Sequence, residues 1–227
     1  KDPFYLKYEY LRIYEELVAW HRSTRSDADQ FLFVGGGGYT LPRYFDHAYP
    51  DACVDVVEID PLVSKVAHDQ LGIKDTRIRT YNMDGRWFVM NCKDKYDIIF
   101  TDAFNDLSIP YHLTTKEFVE QLKAIMAPSG ILLSNVIDNF QKGAFLPSYM
   151  KTLTAVFGEN NVHLISVSPD FANLKISTFI VMAHNGTMDV GAFDRWLKEK
   201  LGSQAKSALV SPEMVRKFLA KKEAIVI

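Results

Sequence analysis

The sequence has few cysteines, no long apolar run and no excess of either charge. Its 227 residues include only Cys53 and Cys92, which form neither a CxxC pair nor a His/Cys cluster with metal-ligand spacing. We therefore expect no metal site and no disulfide framework, and we interpret both cysteines as inert residues in or near the core. No apolar stretch approaches the roughly 20 residues that a membrane-spanning helix needs.

The charge balance argues against two classes of partner. The 26 basic and 28 acidic residues give a net charge of −2, whereas nucleic-acid binding normally shows as a basic patch or a high pI. We expect no nucleic-acid partner and no membrane contact. The chain opens with Lys1-Asp2-Pro3, without an initiator Met or a signal peptide. The expected location is the cytoplasm, with the soluble part of a longer chain as the alternative.

Strand and helix patterns alternate along the chain, and 48% of the residues are hydrophobic. Apolar runs predict buried parallel strands, and spacings of three and four predict helices between them. The last two strands are joined without helical periodicity, which favours an antiparallel pair. We predict a single α/β domain over 1–227, with a leading helix and linker (1–30), a core (31–183) and C-terminal helices (184–227). Its Rossmann-like, seven-stranded, mostly parallel sheet carries helices on both faces and an antiparallel last strand.

A glycine loop follows the first predicted strand. It consists of Gly35, Gly36, Gly37 and Gly38, followed by Tyr39 and Thr40. Ligands of open α/β sheets bind beyond the carboxyl ends of the strands, and glycines let a ligand approach the backbone closely. A tight turn is the alternative interpretation, because the third glycine of GxGxxG is missing.

Acidic residues follow the next three strands. Glu58 lies 20 residues after Gly38, at the spacing where a nucleoside-binding fold keeps the acid that binds ribose hydroxyls. Asp84 follows the third strand. Its carboxylate either accepts a hydrogen bond from an adenine amino group or simply caps the next helix at its N-terminus. Asp102 ends the fourth strand, with Asp106 in the same loop. Three strand ends that each carry an acid, behind a glycine loop, predict a nucleoside site.

Five motifs in order resemble the spermidine/spermine synthase (aminopropyltransferase) family, which has the class I S-adenosylmethionine-dependent methyltransferase fold. The similarity runs from about Tyr14 to Asn135. The corresponding segments here are the glycine loop, Glu58-Ile59-Asp60, Asp84-Gly85, the Asp102 to Pro110 loop, and the helix start from Leu113 to Phe118.

The resemblance implies a transferase of polyamine biosynthesis, with an adenosyl sulfonium donor and an amine acceptor as small-molecule partners. The donor would be decarboxylated S-adenosylmethionine or S-adenosylmethionine, held by the glycine loop, Glu58, Ile59, Asp84 and Gly85. Asp102 would accept the proton of the attacking amine, with Asp106 as the second loop acid. Tyr14, Glu15 and Asp106 would contribute to the acceptor site, whereas Tyr111 and His112 could supply part of an acceptor site different from the family's. A homodimer is left open.

Three departures from the family pattern keep other functions open. Gly38 replaces the aspartate that in the family binds the donor's aminopropyl ammonium, which favours a methyltransferase as the closest rival. Asp106 matches the family's second acid only after a one-residue insertion. The sequence also has no counterpart of the family's N-terminal β-hairpin domain, which favours a catalytically silent nucleoside-binding module as the third hypothesis.

Overall fold

Strands and helices alternate along the chain as the hydrophobic periodicity predicts. The computed structural model describes residues 4–25, 29–74, 76–103, 110–202 and 209–227. Its α-helices are α1 (Glu9–Ser23), α2 (Thr40–Ala48), α3 (Pro61–Gln70), α4 (Gly85–Asn91), α5 (Lys116–Ile125), α6 (Phe145–Phe157), α7 (Val190–Leu201) and α8 (Pro212–Ala220). Its strands are β1 (Gln30–Val34), β2 (Cys53–Glu58), β3 (Arg79–Asn82), β4 (Tyr96–Thr101), β5 (Met126–Asp138), β6 (Val162–Ser166) and β7 (Ser177–His184). Short 3-10 turns lie at Tyr111–Leu113 and Glu159–Asn161.

The seven strands form one sheet in the order β3-β2-β1-β4-β5-β7-β6. Pairing is parallel from β3 through β5, whereas β7 runs antiparallel to both β5 and β6. This confirms the predicted sheet and its antiparallel last strand. The strand order reverses between β1 and β4, so the crevice beyond the ends of these two strands is the expected ligand site.

Two apolar clusters cover the two faces of the sheet, which gives the three-layer arrangement that a mostly parallel sheet requires. On one face, α1, α2 and α7 bury residues such as Leu17, Phe45 and Phe193. On the other face, α5, α6 and α8 bury Phe118, Leu153 and Phe218. Both faces of the central strands are therefore dry, and ligands can reach the sheet only at its ends.

Local sequence explains where several helices begin. The carboxylate of Asp60 accepts a hydrogen bond from the Leu62 amide at 2.8 Å, and Pro61 occupies the first helical position of α3. Proline is tolerated there because its missing N–H has no partner inside the helix. Such caps fix the helix starts directly after the strands, and so place the loops between them at one edge of the sheet.

Two details differ from the sequence-based expectation. Strand β5 begins at Met126 rather than Ile131, and its pairing with β4 is interrupted between Tyr96 and Ile98. Pro128 lies in this early segment, and a residue without an N–H cannot complete a regular ladder. Cys53, which was expected in or near the core, is instead exposed at the start of β2, whereas Cys92 is half-buried.

A buried polar network ties the edge strand β3 to the sheet. Asp55 of β2 is fully buried and receives two hydrogen bonds from Arg79, with Nε–Oδ1 and Nη2–Oδ2 distances of 2.5 and 2.8 Å. The Tyr96 hydroxyl donates to the same carboxylate at 2.8 Å. A buried carboxylate is stable only when it is paired and hydrogen-bonded, so this network fixes the register of β3.

A transmembrane helix is not found in the part of the chain that the structure describes, since none of its helices is both long enough and apolar enough to cross a bilayer.

Candidate active site

The glycine loop leaves β1 at the centre of the sheet and passes close to the end of β4. Gly35 has a φ of +104°, and its amide donates to the Val57 carbonyl at 2.9 Å. A Cβ added at Gly35 would lie 2.6 Å from the carbonyl oxygen of Asp102. Both the backbone conformation and this close approach exclude a side chain, so the predicted donor loop and the predicted catalytic aspartate are direct neighbours.

Glu58 holds the glycine loop through its carboxylate. Its Oε2 accepts hydrogen bonds from the amides of Gly36 at 2.9 Å and Gly37 at 3.2 Å, while Oε1 accepts from the Asp60 amide at 3.0 Å. Each carboxylate oxygen has about two lone-pair sites, so the loop amides occupy Oε2, while Oε1 keeps acceptor capacity for one ribose hydroxyl. The cap of α3 is Asp60 rather than Glu58.

Tyr39 supports the loop from inside the protein. It has a left-handed backbone with a φ of +52°, and its side chain is fully buried. The phenol oxygen lies 3.1 Å from Ser64 Oγ and 3.4 Å from Thr80 Oγ1. A Cβ on Gly36 would lie 2.6 Å from the Tyr39 ring. Any ligand contact of Tyr39 would therefore come from its backbone.

Asp84 is both a helix cap and a hydrogen-bond partner of His112. Its Oδ1 accepts from the Trp87 amide at 2.9 Å, and its Oδ2 lies 3.0 Å from Nε2 of His112. Burial opposes ionisation of Asp84, but these two partners outweigh it, so its pKa lies below the ordinary value. Gly85 follows, where a Cβ would meet Val34 Cγ1 at 2.8 Å.

Ile59, which follows β2, and Tyr111, which precedes His112, are both exposed. Ile59 is 66% exposed and Tyr111 is 81% exposed. Arg86 donates from Nη1 to the carbonyl of His112 at 2.9 Å, so α4 holds the Tyr111–Leu113 turn through both a side-chain pair and a backbone contact. The structure thus places His112 against the predicted adenine acceptor, Asp84.

Asp102 closes β4 at the opposite side of the crevice. Its amide donates to the Val34 carbonyl at 3.1 Å, and its Oδ1 accepts from Asn135 Nδ2 at 2.9 Å. Burial raises the pKa of Asp102, and the hydrogen bond from Asn135 opposes that rise. A carboxylate in these surroundings is a stronger base than one in water.

Helix α1 covers Asp102 with tyrosines. Tyr14 is fully buried, its ring packs against Phe100 at a centroid distance of 5.3 Å, and its hydroxyl has no hydrogen-bond partner among the described residues. Burial and the nearby Asp102 charge raise the pKa of both Tyr10 and Tyr14. Glu15 accepts a hydrogen bond from the Tyr44 hydroxyl, which places it on the α2 side of α1.

The structure therefore divides the predicted residues into two groups along the crevice. One group lies at the ends of β1, β2 and β3 and comprises the glycine loop, Glu58, Ile59, Asp84 and Gly85, with His112 paired to Asp84. The other group comprises Asp102, which follows β4, and Tyr14 of α1. Asp106 lies outside the described residues. Within those residues, no group of three or more His, Cys, Asp or Glu side chains could hold a metal ion.

Sequence reasoning missed three residues at this site. Asn135 and Tyr10 contact or face Asp102, and Arg86 fixes the Tyr111–Leu113 turn. Asn135 could have been found, because it is a polar residue that follows the apolar run of β5 as Asp102 follows that of β4. Arg86 offered no such signal, since its role depends on how α4 meets a distant turn.

This fold, with a glycine loop after β1 and an acid after each of β2, β3 and β4, defines the class of Rossmann-like α/β domains. The family model of the spermine/spermidine synthase domain matches residues 12–190. The chain belongs to the spermine/spermidine synthase family. The match extends beyond the segment from Tyr14 to Asn135 that carries the recognisable motifs.

One curated relative agrees with this assignment, and two solved structures share the fold. The polyamine aminopropyltransferase of Vibrio vulnificus is 33% identical over 135 residues, which are 58% of this chain and 44% of the relative. The chain thus spans less than half the length of that relative. A solved structure of a probable spermidine synthase from Corynebacterium glutamicum has a TM-score of 0.82 at 24% identity, covering 98% of this chain and 81% of that one. Human methyltransferase-like protein 13, solved in complex with SAH, has a TM-score of 0.64 at 20% identity, covering 94% and 90%.

Proposed function

We propose that this chain is an aminopropyltransferase that moves the aminopropyl group of decarboxylated S-adenosylmethionine to a small amine acceptor. The observation that carries the proposal is the partly buried Asp102, with its raised pKa, at the switch point of the sheet beside the glycine loop. The named relative in Vibrio vulnificus supports the same chemistry.

The donor would lie along the ends of β1, β2 and β3. Oε1 of Glu58 would accept a hydrogen bond from a ribose hydroxyl, since the loop amides already hold Oε2. Asp84 would accept a hydrogen bond from the adenine amino group beside its existing partners, which include the Trp87 amide and His112. The exposed Ile59 side chain would cover one face of the base.

Transfer requires one proton acceptor and no acid. The lone pair of a neutral amine attacks the aminopropyl carbon, a C–N bond forms, and the C–S bond breaks to leave methylthioadenosine as a neutral thioether. The new ammonium then loses a proton to Asp102 Oδ2, because Oδ1 is held by Asn135. A raised pKa brings this base closer to the operating pH, which favours the proton transfer.

A methyltransferase is the second candidate, and Gly38 is the observation that favours it. Residue 38 is exposed on the glycine loop and carries no acid to select a donor without a carboxylate. The same site would then bind S-adenosylmethionine, and the sulfonium methyl group would be transferred, leaving S-adenosylhomocysteine.

Product analysis distinguishes these functions. The protein is incubated with decarboxylated S-adenosylmethionine or S-adenosylmethionine and a panel of primary amines, and both thioether products are quantified by mass spectrometry. We expect methylthioadenosine from the first donor, and its loss in Asp102→Asn but not in the matched exposed variant Asp94→Asn. S-adenosylhomocysteine in its place would indicate a methyltransferase. Neither product, with donor binding retained, would indicate a silent nucleoside-binding module.

A further inference from the structure

Asn135 lies beside Asp102 because of the register between two parallel strands. Thr101 of β4 pairs with Ser134 of β5, so the next residues of the two strands are adjacent. Alternation along β5 places Asn135 on the same face as Leu133, in the cluster that includes Tyr14. Its side chain is 5% exposed, and its Nδ2 lies 2.9 Å from Asp102 Oδ1.

The orientation of the Asn135 amide follows from chemistry. An ionised carboxylate only accepts hydrogen bonds, so the group that faces Asp102 is the amide NH2, and Oδ1 points away from it. This Oδ1 is buried and has no hydrogen-bond partner in the described ranges. A buried carbonyl oxygen without a partner costs free energy, so a polar group supplied by a ligand would be favoured there.

A primary amine supplies the group that this oxygen lacks. When its lone pair points at the donor carbon, two N–H bonds remain, and one of them donates to Asp102. The second N–H needs another acceptor on the same side of the crevice. Asn135 Oδ1 is a neutral acceptor next to the carboxylate, and it satisfies this N–H without removing the proton.

We infer that Asn135 is a positioning and specificity-determining residue, whose N–H fixes Asp102 and whose Oδ1 receives the second N–H of a primary amine acceptor. This inference rests on the proposed transfer to an amine. An N-methylated secondary amine has a single N–H in the attacking orientation and leaves Oδ1 unsatisfied. A buried acceptor without a partner corresponds to roughly tenfold or more in kcat/KM, so primary amines are preferred by at least that factor.

The test compares Asn135→Leu, Asn135→Asp and wild type, with Ser134→Ala as the matched control. Leucine keeps the approximate volume and removes both polar contacts, whereas aspartate keeps an oxygen and removes the donor. Ser134 is the neighbouring buried residue on β5, and its hydroxyl contacts Thr101 and Tyr149 instead. If Asn135→Leu does not fold, as judged by circular dichroism, Asn135→Ser takes its place.

The first readout is the ratio of kcat/KM for a primary amine to that for its N-methyl derivative. We expect wild type and Ser134→Ala to keep a ratio of about ten or more, and Asn135→Leu to bring it close to one. An unchanged ratio in a folded, active Asn135→Leu protein would overturn the specificity role.

The second readout does not need turnover. Titration of the Asp102 carboxyl carbon by NMR reports its pKa directly, and the titratable groups that face it in the described structure are Tyr10 and Tyr14 of α1. Loss of the Asn135 N–H should raise the pKa of Asp102. The acidic limb of the activity profile should then move to higher pH as well. An identical titration in wild type and Asn135→Leu would overturn the positioning role.

The experiments distinguish a failure of the proposed transfer from a failure of the inference about Asn135. If wild type produces no methylthioadenosine with any amine, the transfer proposal fails while the NMR titration still decides the contact between Asn135 and Asp102. Calorimetry on methylthioadenosine-loaded protein then decides the specificity. Preferential binding of the primary amine supports the role of Oδ1, and equal binding of both amines refutes it.

Discussion

Restoring the family's acid at Gly38 should convert the glycine loop into a better binder of the decarboxylated donor. The substitution fits the structure, because a Cβ at residue 38 would have Thr40 Oγ1 as its nearest neighbour at 3.7 Å. Its backbone also lies outside the positive-φ region. Gly38→Asp therefore introduces a carboxylate without a steric cost, at the position that in the family contacts the aminopropyl ammonium.

The expected gain follows from the exposure of this position. A hydrogen bond to a charged group contributes about 1.5–3 kcal/mol, and solvent screening at an exposed residue favours the lower value. About 1.5 kcal/mol corresponds to roughly tenfold in Kd. S-adenosylmethionine carries an additional carboxylate next to its ammonium, so the new aspartate should not improve, and should weaken, binding of that donor.

Calorimetry with both donors on Gly38→Asp, Gly38→Asn and Gly38→Ala measures this effect. Asparagine matches aspartate in shape but has no charge, and alanine reports the effect of losing glycine itself. The reasoning is refuted if aspartate and asparagine tighten the decarboxylated donor equally, or if Gly38→Asp tightens both donors to the same extent.

Three further substitutions test the electrostatics and packing. Asp102→Asn should lower turnover by about 10²–10⁴-fold. Because the pKa of Asp102 is raised in the folded state, the wild-type carboxyl stabilises the fold at acid pH, and this contribution is lost as the pH rises through that pKa. Denaturation curves should therefore show a variant that is more stable than wild type at neutral pH and whose stability depends less on pH. Arg79→Leu leaves the buried Asp55 carboxylate with the Tyr96 hydroxyl but without its half-exposed ion-pair partner. Urea unfolding should show a loss of about 1–3 kcal/mol, and a change below about 0.5 kcal/mol would contradict this reasoning. Gly36→Ala forces a Cβ into the buried Tyr39 ring and should weaken donor binding in thermal-shift assays, whereas retention of wild-type affinity would show that the loop can move at no cost.

The sequence predicted the fold and the acids of the crevice because both depend on local patterns. Apolar runs mark β2 and β4 with the boundaries that the structure has, and a parallel sheet necessarily brings the residues after its strands to one edge. The positions of Glu58, Asp84 and Asp102 therefore followed from chain order alone.

Other features depend on contacts between distant segments, and the sequence pattern does not encode them. The pairing of His112 with Asp84 spans 28 residues and depends on where the chain returns after β4. The role of Asn135 depends on the register of β4 against β5. Tyr39 was expected in the ligand loop, but the pattern did not indicate that its ring turns inward to Ser64 and Thr80.

The contact of Gly35 with the backbone of Asp102 has a consequence for how the family can diversify. Under the proposed function, donor choice would reside in the glycine loop and acceptor chemistry at Asp102, and no side chain separates Gly35 from the Asp102 backbone. A shift of either loop displaces the other, so mutations that change donor preference and mutations that change acceptor preference should show epistasis. Laboratory evolution of one specificity would then proceed faster when both loops are varied in the same library.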